Sequence, residues 1–395
     1  MKKWLVVAAI MVLCLALVIG VACGGGGGPA VKEVKISFGL PLSGLMGNIV
    51  GIPAKLGLEL AAEKIGEFTV AGESYRWKPI IEDNQWTSAG GVATATKLIF
   101  GDRVKIMHQA GSDAGAAAQA ICEESGVLLD IAGGEMGLLG PDKPHTFHTS
   151  PTYVVHTPVF FHWLTTAHPE VRTVAIAMSD DEIGHAVADA AIPAAEYFGY
   201  QVVTVDYYPP ATVEFYPLAT KLVSMDPDLV IGSVLTLKPM KEMGWDGLTA
   251  FIGWSSAFGN FAGWENVQGF LVYQPNPMGE KLPQAVSEFA ADFRRHYGAE
   301  FTMCAYYAAT ILQVLTEALK KAGTVDDVNK IISVLETETF DTMVGPLRYG
   351  GEGLVGVGHM LLWPAPIAEI RDHAYQVIAE FTPEEAETLA VEVYK

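Results

Sequence analysis

Ser112 and Asp113 are the residues whose placement most invites chemistry. They open a helical pattern just behind a short apolar strand pattern that ends at Gln109. A hydroxyl and unpaired amide N–H groups at a helix start can face an anion. The alternative is a plain helix cap, shared with Asp113. Four histidines, His145, His148, His156 and His162, lie close together. Imidazoles bind zinc, but the spacing lacks the His-Glu-x-x-His pattern, so no metal is expected. Gly351, Gly353 and Gly356 meet a bare dinucleotide fingerprint. An apparent strand follows them rather than a helix, so a tight turn is the better reading. No Gly-x-Ser-x-Gly elbow and no phosphate loop occurs, so a binder without cofactor is expected rather than an enzyme.

The chain that carries these residues has 395 residues, half of them apolar, with 18 % charged and a net charge of −20. That length suggests two to three domains. The acidity argues against nucleic acid, whose phosphates want a basic face. At the start, Lys2 and Lys3 precede an apolar run, residues 4–22, that ends at Cys23 and five glycines. A cationic head and apolar stretch read as a secretory signal, although the run is long enough to be an uncleaved anchor. The small residues before Cys23 resemble the lipobox of bacterial lipoproteins. On that likeness 1–22 is a signal peptide, Cys23 carries lipid, and 23–33 is a tether to the membrane. Of the other cysteines, Cys14 leaves with the signal. Cys122 and Cys304 sit in apolar helical patterns and read as buried thiols, although pairing between them stays open.

Those candidate residues fall where strand patterns give way to helical ones. Strand patterns at 34–40, 78–82, 104–109 and 127–132 alternate with helical patterns at 54–65, 91–100 and 114–124. Residues 145–158, rich in His, Thr and Pro, break the rhythm. A second series then runs through strands at 173–178, 202–206, 229–232, 250–254 and 270–274, with helices at 187–198 and 215–223. Such alternation implies parallel sheets with helices on both faces. Three more helical patterns, 283–297, 304–321 and 325–335, exceed what the second sheet needs, so the chain is expected to return to the first. The fold class is therefore α/β: two doubly wound parallel-sheet lobes joined by three crossovers, near Ser150, Gln274 and Gly345. Lobe 1 takes 34–149 plus 276–344, and lobe 2 takes 150–275 plus 345–395.

Residues 36–44 resemble the opening strand and Ser-Gly turn of the leucine/isoleucine/valine-binding protein family, the type I periplasmic binding proteins of transporters. Glu82, Asp83 and Asn84 with 93–98, then 174–176 with Ile183 and Gly184, then 215–218 with 226–230, and finally 344–349 resemble further family segments in order. The resemblance implies passive capture of a small molecule between closing lobes. It also implies delivery to the permease of an ABC importer, by a protein expected to act as a monomer outside the cytoplasm. The rival reading is a sensing module of the same fold. Such modules continue into a membrane span, whereas this chain ends at Lys395 after a short acidic helix.

In open parallel sheets, ligands bind beyond the carboxyl ends of strands. That rule selects Ser43, Met46 and Asn48, Trp86, Gln109 with Ser112 and Asp113, and Gly134 with Glu135 from lobe 1. From lobe 2 it selects Ile183, Thr236, Trp254 and Ser255. By resemblance, Ser112 matches the family serine that bonds a ligand carboxylate. Trp86 and Gly111 replace two cysteines that some members bridge, so Trp86 is free to lie over Gly111 and wall the pocket. The loop that supplies a glutamate to the ligand ammonium in amino-acid binders here reads Gly253, Trp254, Ser255 and Ser256, without a carboxylate. Ile183 stands in place of a ligand-facing tyrosine. Burying an ammonium without a partner costs several kcal/mol. Either Glu135 takes that role, or the ligand is a small apolar or aromatic carboxylic acid, which is the preferred expectation.

Overall fold

The structure, a computed structural model, describes residues 31–395 except 134, 233 and 280. The expected signal segment, Cys23 and Gly134 lie outside the described residues.

In chain order the first part contains β1 (Lys32–Leu40), α1 (Gly44–Ile65), β2 (Glu67–Val70), β3 (Glu73–Asp83) and α2 (Ser88–Thr96). Then come β4 (Ile106–Ala110), α3 (Ser112–Ser125), β5 (Leu128–Ala132) and β6 (Thr146–Phe147). These strands form one sheet in the order β2-β3-β1-β4-β5-β6. All neighbours run parallel except the β2–β3 pair. The last five residues of β1 and all of β4 are buried, as strands covered on both faces require. By length and composition α1 could cross a membrane. Here Ala54, Leu58, Leu60 and Ala61 of its inner face join the sheet's core.

The second part contains α4 (Tyr153–Ala167), β7 (Thr173–Ser179), α5 (Glu182–Tyr197), β8 (Gln201–Tyr208), α6 (Tyr216–Ser224) and β9 (Leu229–Gly232). It continues with α7 (Leu237–Glu242), β10 (Leu248–Phe251), α8 (Ser256–Ala262) and β11 (Leu271–Val272). Next are α9 (Gln284–Tyr297), α10 (Met303–Ala322), α11 (Val328–Thr337), β12 (Thr339–Thr342) and β13 (Gly345–Gly350). The chain closes with α12 (Glu352–Val355), β14 (Met360–Leu362), β15 (Ala365–Arg371), β16 (Ala374–Phe381) and α13 (Pro383–Tyr394). The second sheet has the order β16-β15-β11-β10-β9-β7-β8, and β12-β13-β14 form a small third sheet.

Helices α9, α10 and α11 pack with the first sheet. Phe289, Phe293, Leu312, Leu319 and Ile331 share one core with Ile36 and Phe38. Trp77 on β3 donates its indole N–H to Thr316 on α10 at 2.8 Å.

Two elements depart from the sequence pattern. The segment read as irregular contains α4, a 15-residue helix with Pro158 inside it and nine buried residues. A helix apolar on most sides shows no 3.6-residue stripe, which hides it. The hairpin of β15 and β16 was not anticipated. It turns on Asp372 and His373, both at positive φ (50° and 63°), the geometry of a type I′ turn without its usual Asn-Gly or Asp-Gly signature.

Connections between the sheets run side by side. The His148 amide donates to the His359 carbonyl, and the Leu361 amide donates to the His148 carbonyl, both at 2.8 Å. Trp363 donates its indole N–H to the Thr149 carbonyl at 2.8 Å, and the hydroxyls of Thr149 and Tyr349 share a bond at 2.8 Å. Met360 already packs into the second core, but Leu347, Tyr349, Leu361 and Trp363 belong to the first. Leu354 and Val355 also pack against the second core, so residues 347–363 alternate between the two cores and the chain stays with the second sheet from Ala365 to Ile370. Gly351 and Gly356, at φ 99° and 81°, flank the one-turn helix α12, so the glycine-rich stretch is a turn around that short helix.

Candidate functional site

Asp83, at the end of β3, organises the first two loops. Its carboxylate accepts the amides of Leu42 and Gln85, each at 2.9 Å. Burial acts to raise the Asp83 pKa, but these amides and the Ser43 hydroxyl outweigh it and hold the carboxyl low. Ser43 thus braces the loop at the start of α1, while Asn48 is exposed and Met46 half-buried. Asn84 is wholly buried. It donates to the carbonyls of Gly39 at 3.0 Å and Ala110 at 2.8 Å, and accepts the Trp86 amide at 3.0 Å. This local bonding holds Gln85 and Trp86 at positive φ, 55° and 57°.

The Trp86 ring lies over Gly111. A Cβ on Gly111 would come within 3.1–3.2 Å of three ring atoms, and Gly111 has φ 93°. Both the contact and the backbone require glycine there. Next to it Ser112 opens the 14-residue α3 and is 3 % exposed. Its hydroxyl abuts Gly133, where a Cβ would sit 2.3 Å away. The N-terminal turn of α3, the Ser112 hydroxyl and the Trp86 ring thus converge at the strand ends of the first sheet.

Gln109 corrects the sequence reading. It is fully buried, donates to the Thr94 hydroxyl at 2.8 Å and accepts from Asn84 at 3.1 Å. Its amide fills the space above Gly39, where a Cβ would meet it at 2.0 Å. It is an internal bracket and does not face a ligand.

From the second sheet, Asp181 caps α5 by accepting the Gly184 amide at 2.9 Å. Ile183 is half-buried against the second core. Thr236 is buried in the turn before α7, and Ser255 is half-buried at the start of α8. Trp254 is a second correction. It is 1 % exposed, and its ring packs among Phe258, Trp264 and Phe270, so it serves the core of lobe 2 rather than a pocket wall.

The two halves touch at acidic residues, where the head of α3 meets the first turn of α5. The Asp113 amide donates to the Glu182 carboxylate at 2.5 Å, and the Glu135 side chain is near enough to act on Glu182. Burial, reinforced by Glu135 and by the charge of Asp113, pushes Glu182 up to about 8. The Tyr153 phenol is raised by burial and by the nearby charges of Asp181 and Glu182. On the opposite flank the Ser256 amide reaches Glu300 at 3.4 Å, and Met303 lies against Gly253. Sequence reasoning missed Glu182, Tyr153 and Glu300. Glu182 was within reach, one residue before Ile183 in the same loop. Tyr153 was not, because α4 itself was unrecognised.

Cys122 and Cys304 are free; burial pushes both thiols up to about 12, which disfavours the thiolate form. Among the described residues no group of three or more His, Cys, Asp or Glu is placed to hold a metal. His145 pairs with Glu123 at 2.8 Å. His148 and His156 are buried and lowered to about 4 by burial. A cavity of about 620 Å³ lies on the outer surface of the first half, lined by Phe68, Gln313, Thr316 and Asp341. It has no wall from the cleft loops.

Residues 33–371 match the model of the periplasmic binding protein family. No curated protein matches the sequence. Among solved structures, an ABC transporter substrate-binding protein from Sphaerobacter thermophilus aligns over 89 % of this chain and 98 % of its own, with 19 % identity and TM-score 0.78. A solute binding protein of an ABC transporter from Rhodopseudomonas palustris, in complex with 3,4-dihydroxybenzoic acid, covers 89 % and 98 % with 18 % identity and TM-score 0.75. A leucine binding protein from Thermotoga maritima covers 89 % and 99 % with 18 % identity and TM-score 0.74.

Proposed function

The chain belongs to the periplasmic binding protein family, and from that membership we propose that it captures a small aromatic or apolar carboxylic acid for an ABC importer. In this reading Cys23 carries lipid that holds the protein on the outer side of the membrane, and the loaded form docks on a permease.

One observation carries the choice of ligand: the start of α3, with Ser112 at its head, lies beside a Trp86 ring seated on Gly111. Amide N–H groups and a hydroxyl suit a carboxylate, and the indole face suits a ring. The 253–256 loop offers no carboxylate for an ammonium. Relatives of the same fold from Rhodopseudomonas palustris were solved with 3,4-dihydroxybenzoic acid and with 4-hydroxybenzoate.

The nearness of Glu135 to Glu182 favours a second reading, an amino acid whose ammonium sits between those carboxyls. A thermal-shift screen over benzoate, 4-hydroxybenzoate and leucine decides between the two. A ligand present at about 100 times its Kd stabilises the folded state by about 2.7 kcal/mol, raising Tm by several degrees. We expect the benzoates to do so. Leucine shifting Tm more than every aromatic acid would overturn the first reading and favour the second.

A further inference from the structure

The first turn of α3 has no acceptor of its own. Gly111 holds the capping position and brings no side chain to it, and the Trp86 ring and a φ of 93° keep a glycine there. Amide N–H groups at an uncapped helix start need an acceptor from elsewhere. Glu182 supplies it from the other half of the molecule. It stands in the first turn of α5, and its carboxyl accepts the Asp113 amide at 2.5 Å. Asp181 beside it is committed to its own helix, where it accepts the Gly184 amide and the Ser179 hydroxyl. Ser112, next to Asp113, is 3 % exposed, and its hydroxyl has no hydrogen-bond partner among the described residues.

We propose that Glu182 is a tethered competitor of the solute: its carboxyl holds the Asp113 amide until the carboxylate of an incoming acid takes its place, with the Ser112 hydroxyl as that acid's second donor. The proposal rests on the reading of the chain as a binder of carboxylic acids. One helix start favours one anion, and a second carboxylate within hydrogen-bond reach of the first is repelled. Glu182 and the solute therefore exclude one another at this amide. A group already attached to the protein binds at a high effective concentration, so Glu182 raises the affinity a solute needs in order to enter. It also yields to a good one, because Asp113 and Glu135 disfavour its charged form, whereas an acid arriving ionised gains both the amide and the hydroxyl. Glu182 thus sets a threshold of affinity and is not itself a contact to the solute.

The test is calorimetric titration of the full mature protein with benzoate at one neutral pH, comparing wild type with Glu182→Ala and Glu182→Gln, each first checked for native circular dichroism. Glu182→Ala frees the Asp113 amide and should bind benzoate about five- to tenfold more tightly, the low end of a hydrogen bond to a charged group because the contact is half-exposed. Glu182→Gln keeps an oxygen that can accept from Asp113 and should stay near the wild type. A purely structural role for Glu182 would weaken binding in the alanine variant, and simple charge repulsion would tighten both variants alike; either result overturns the proposal. Equal affinity in wild type and Glu182→Ala overturns it too, while leaving the capture reading intact. Benzoate binding to none of the three proteins would instead defeat the capture reading, and this proposal with it.

Discussion

Replacing Gly133 with alanine tests where the Ser112 hydroxyl stands. The Gly133 backbone is not among those at positive φ, so alanine meets no conformational penalty there. Its Cβ, however, would lie 2.3 Å from the Ser112 Oγ and 3.1 Å from the Ser112 Cβ. A contact that short cannot exist, and Ser112 is too buried to swing freely into water. Either its χ1 leaves the present well or the first turn of α3 recedes. Forced repacking of this kind costs about 1–3 kcal/mol. If the hydroxyl also bonds a ligand carboxylate, displacing it removes a charge-assisted bond worth about 1.5–3 kcal/mol, roughly a ten- to hundredfold rise in Kd. Calorimetric titration with benzoate reads the second effect, and thermal melting the first. The double variant Gly133→Ala/Ser112→Ala separates them. It removes the 2.3 Å contact and should recover most of the lost Tm, but not the affinity. Wild-type stability and wild-type benzoate affinity in Gly133→Ala would refute this placement of Ser112.

Trp86→Ala should weaken benzoate binding by about tenfold, the order expected for one aromatic contact with its buried area, while Trp86→Phe retains most of it; titration calorimetry checks both. At Asp228 burial acts to raise the pKa, but the amides of Arg172 and Thr173 and the Thr173 hydroxyl outweigh it and hold the carboxyl low. A lowered acid pKa contributes stability above the ordinary carboxylate range that is lost as pH falls through the folded value. Asp228→Asn should therefore lower Tm at neutral pH and reduce its further fall in acid, as melting at two pH values would record. Cys23→Ser should move the protein from the membrane fraction to the soluble one, read by fractionation and immunoblot.

Much of the scaffold was legible because parallel strands buried on both faces leave short apolar runs, as at Ile36 to Leu40 and Leu128 to Ile131. The return of α9 to α11 to the first sheet followed from counting helices against strands. What stayed hidden has physical causes. Gln109 is polar at a strand end, which is where a ligand group belongs. Only the neighbouring strand shows that Gly39 leaves room for its amide to turn inward. Trp254 sits on a cleft loop, yet the aromatic neighbours that draw its ring inward, Phe258, Trp264 and Phe270, become its partners only once the loop is folded. Glu182 looked like an ordinary charge in a helix's first turn, a favourable place for it. Its importance comes from Glu135 and Asp113, which lie on the other half of the molecule.

We place the solute between the two sheets, at the head of α3. A crystal structure grown with 4-hydroxybenzoate tests it most directly. Ligand density is expected bounded by Trp86, Ser112 and Gly133 on one side and by the 180–183 loop on the other, with the carboxylate at the Ser112 hydroxyl. Ligand found instead in the outer groove near Phe68 and Thr316, with the cleft holding only water, would contradict it.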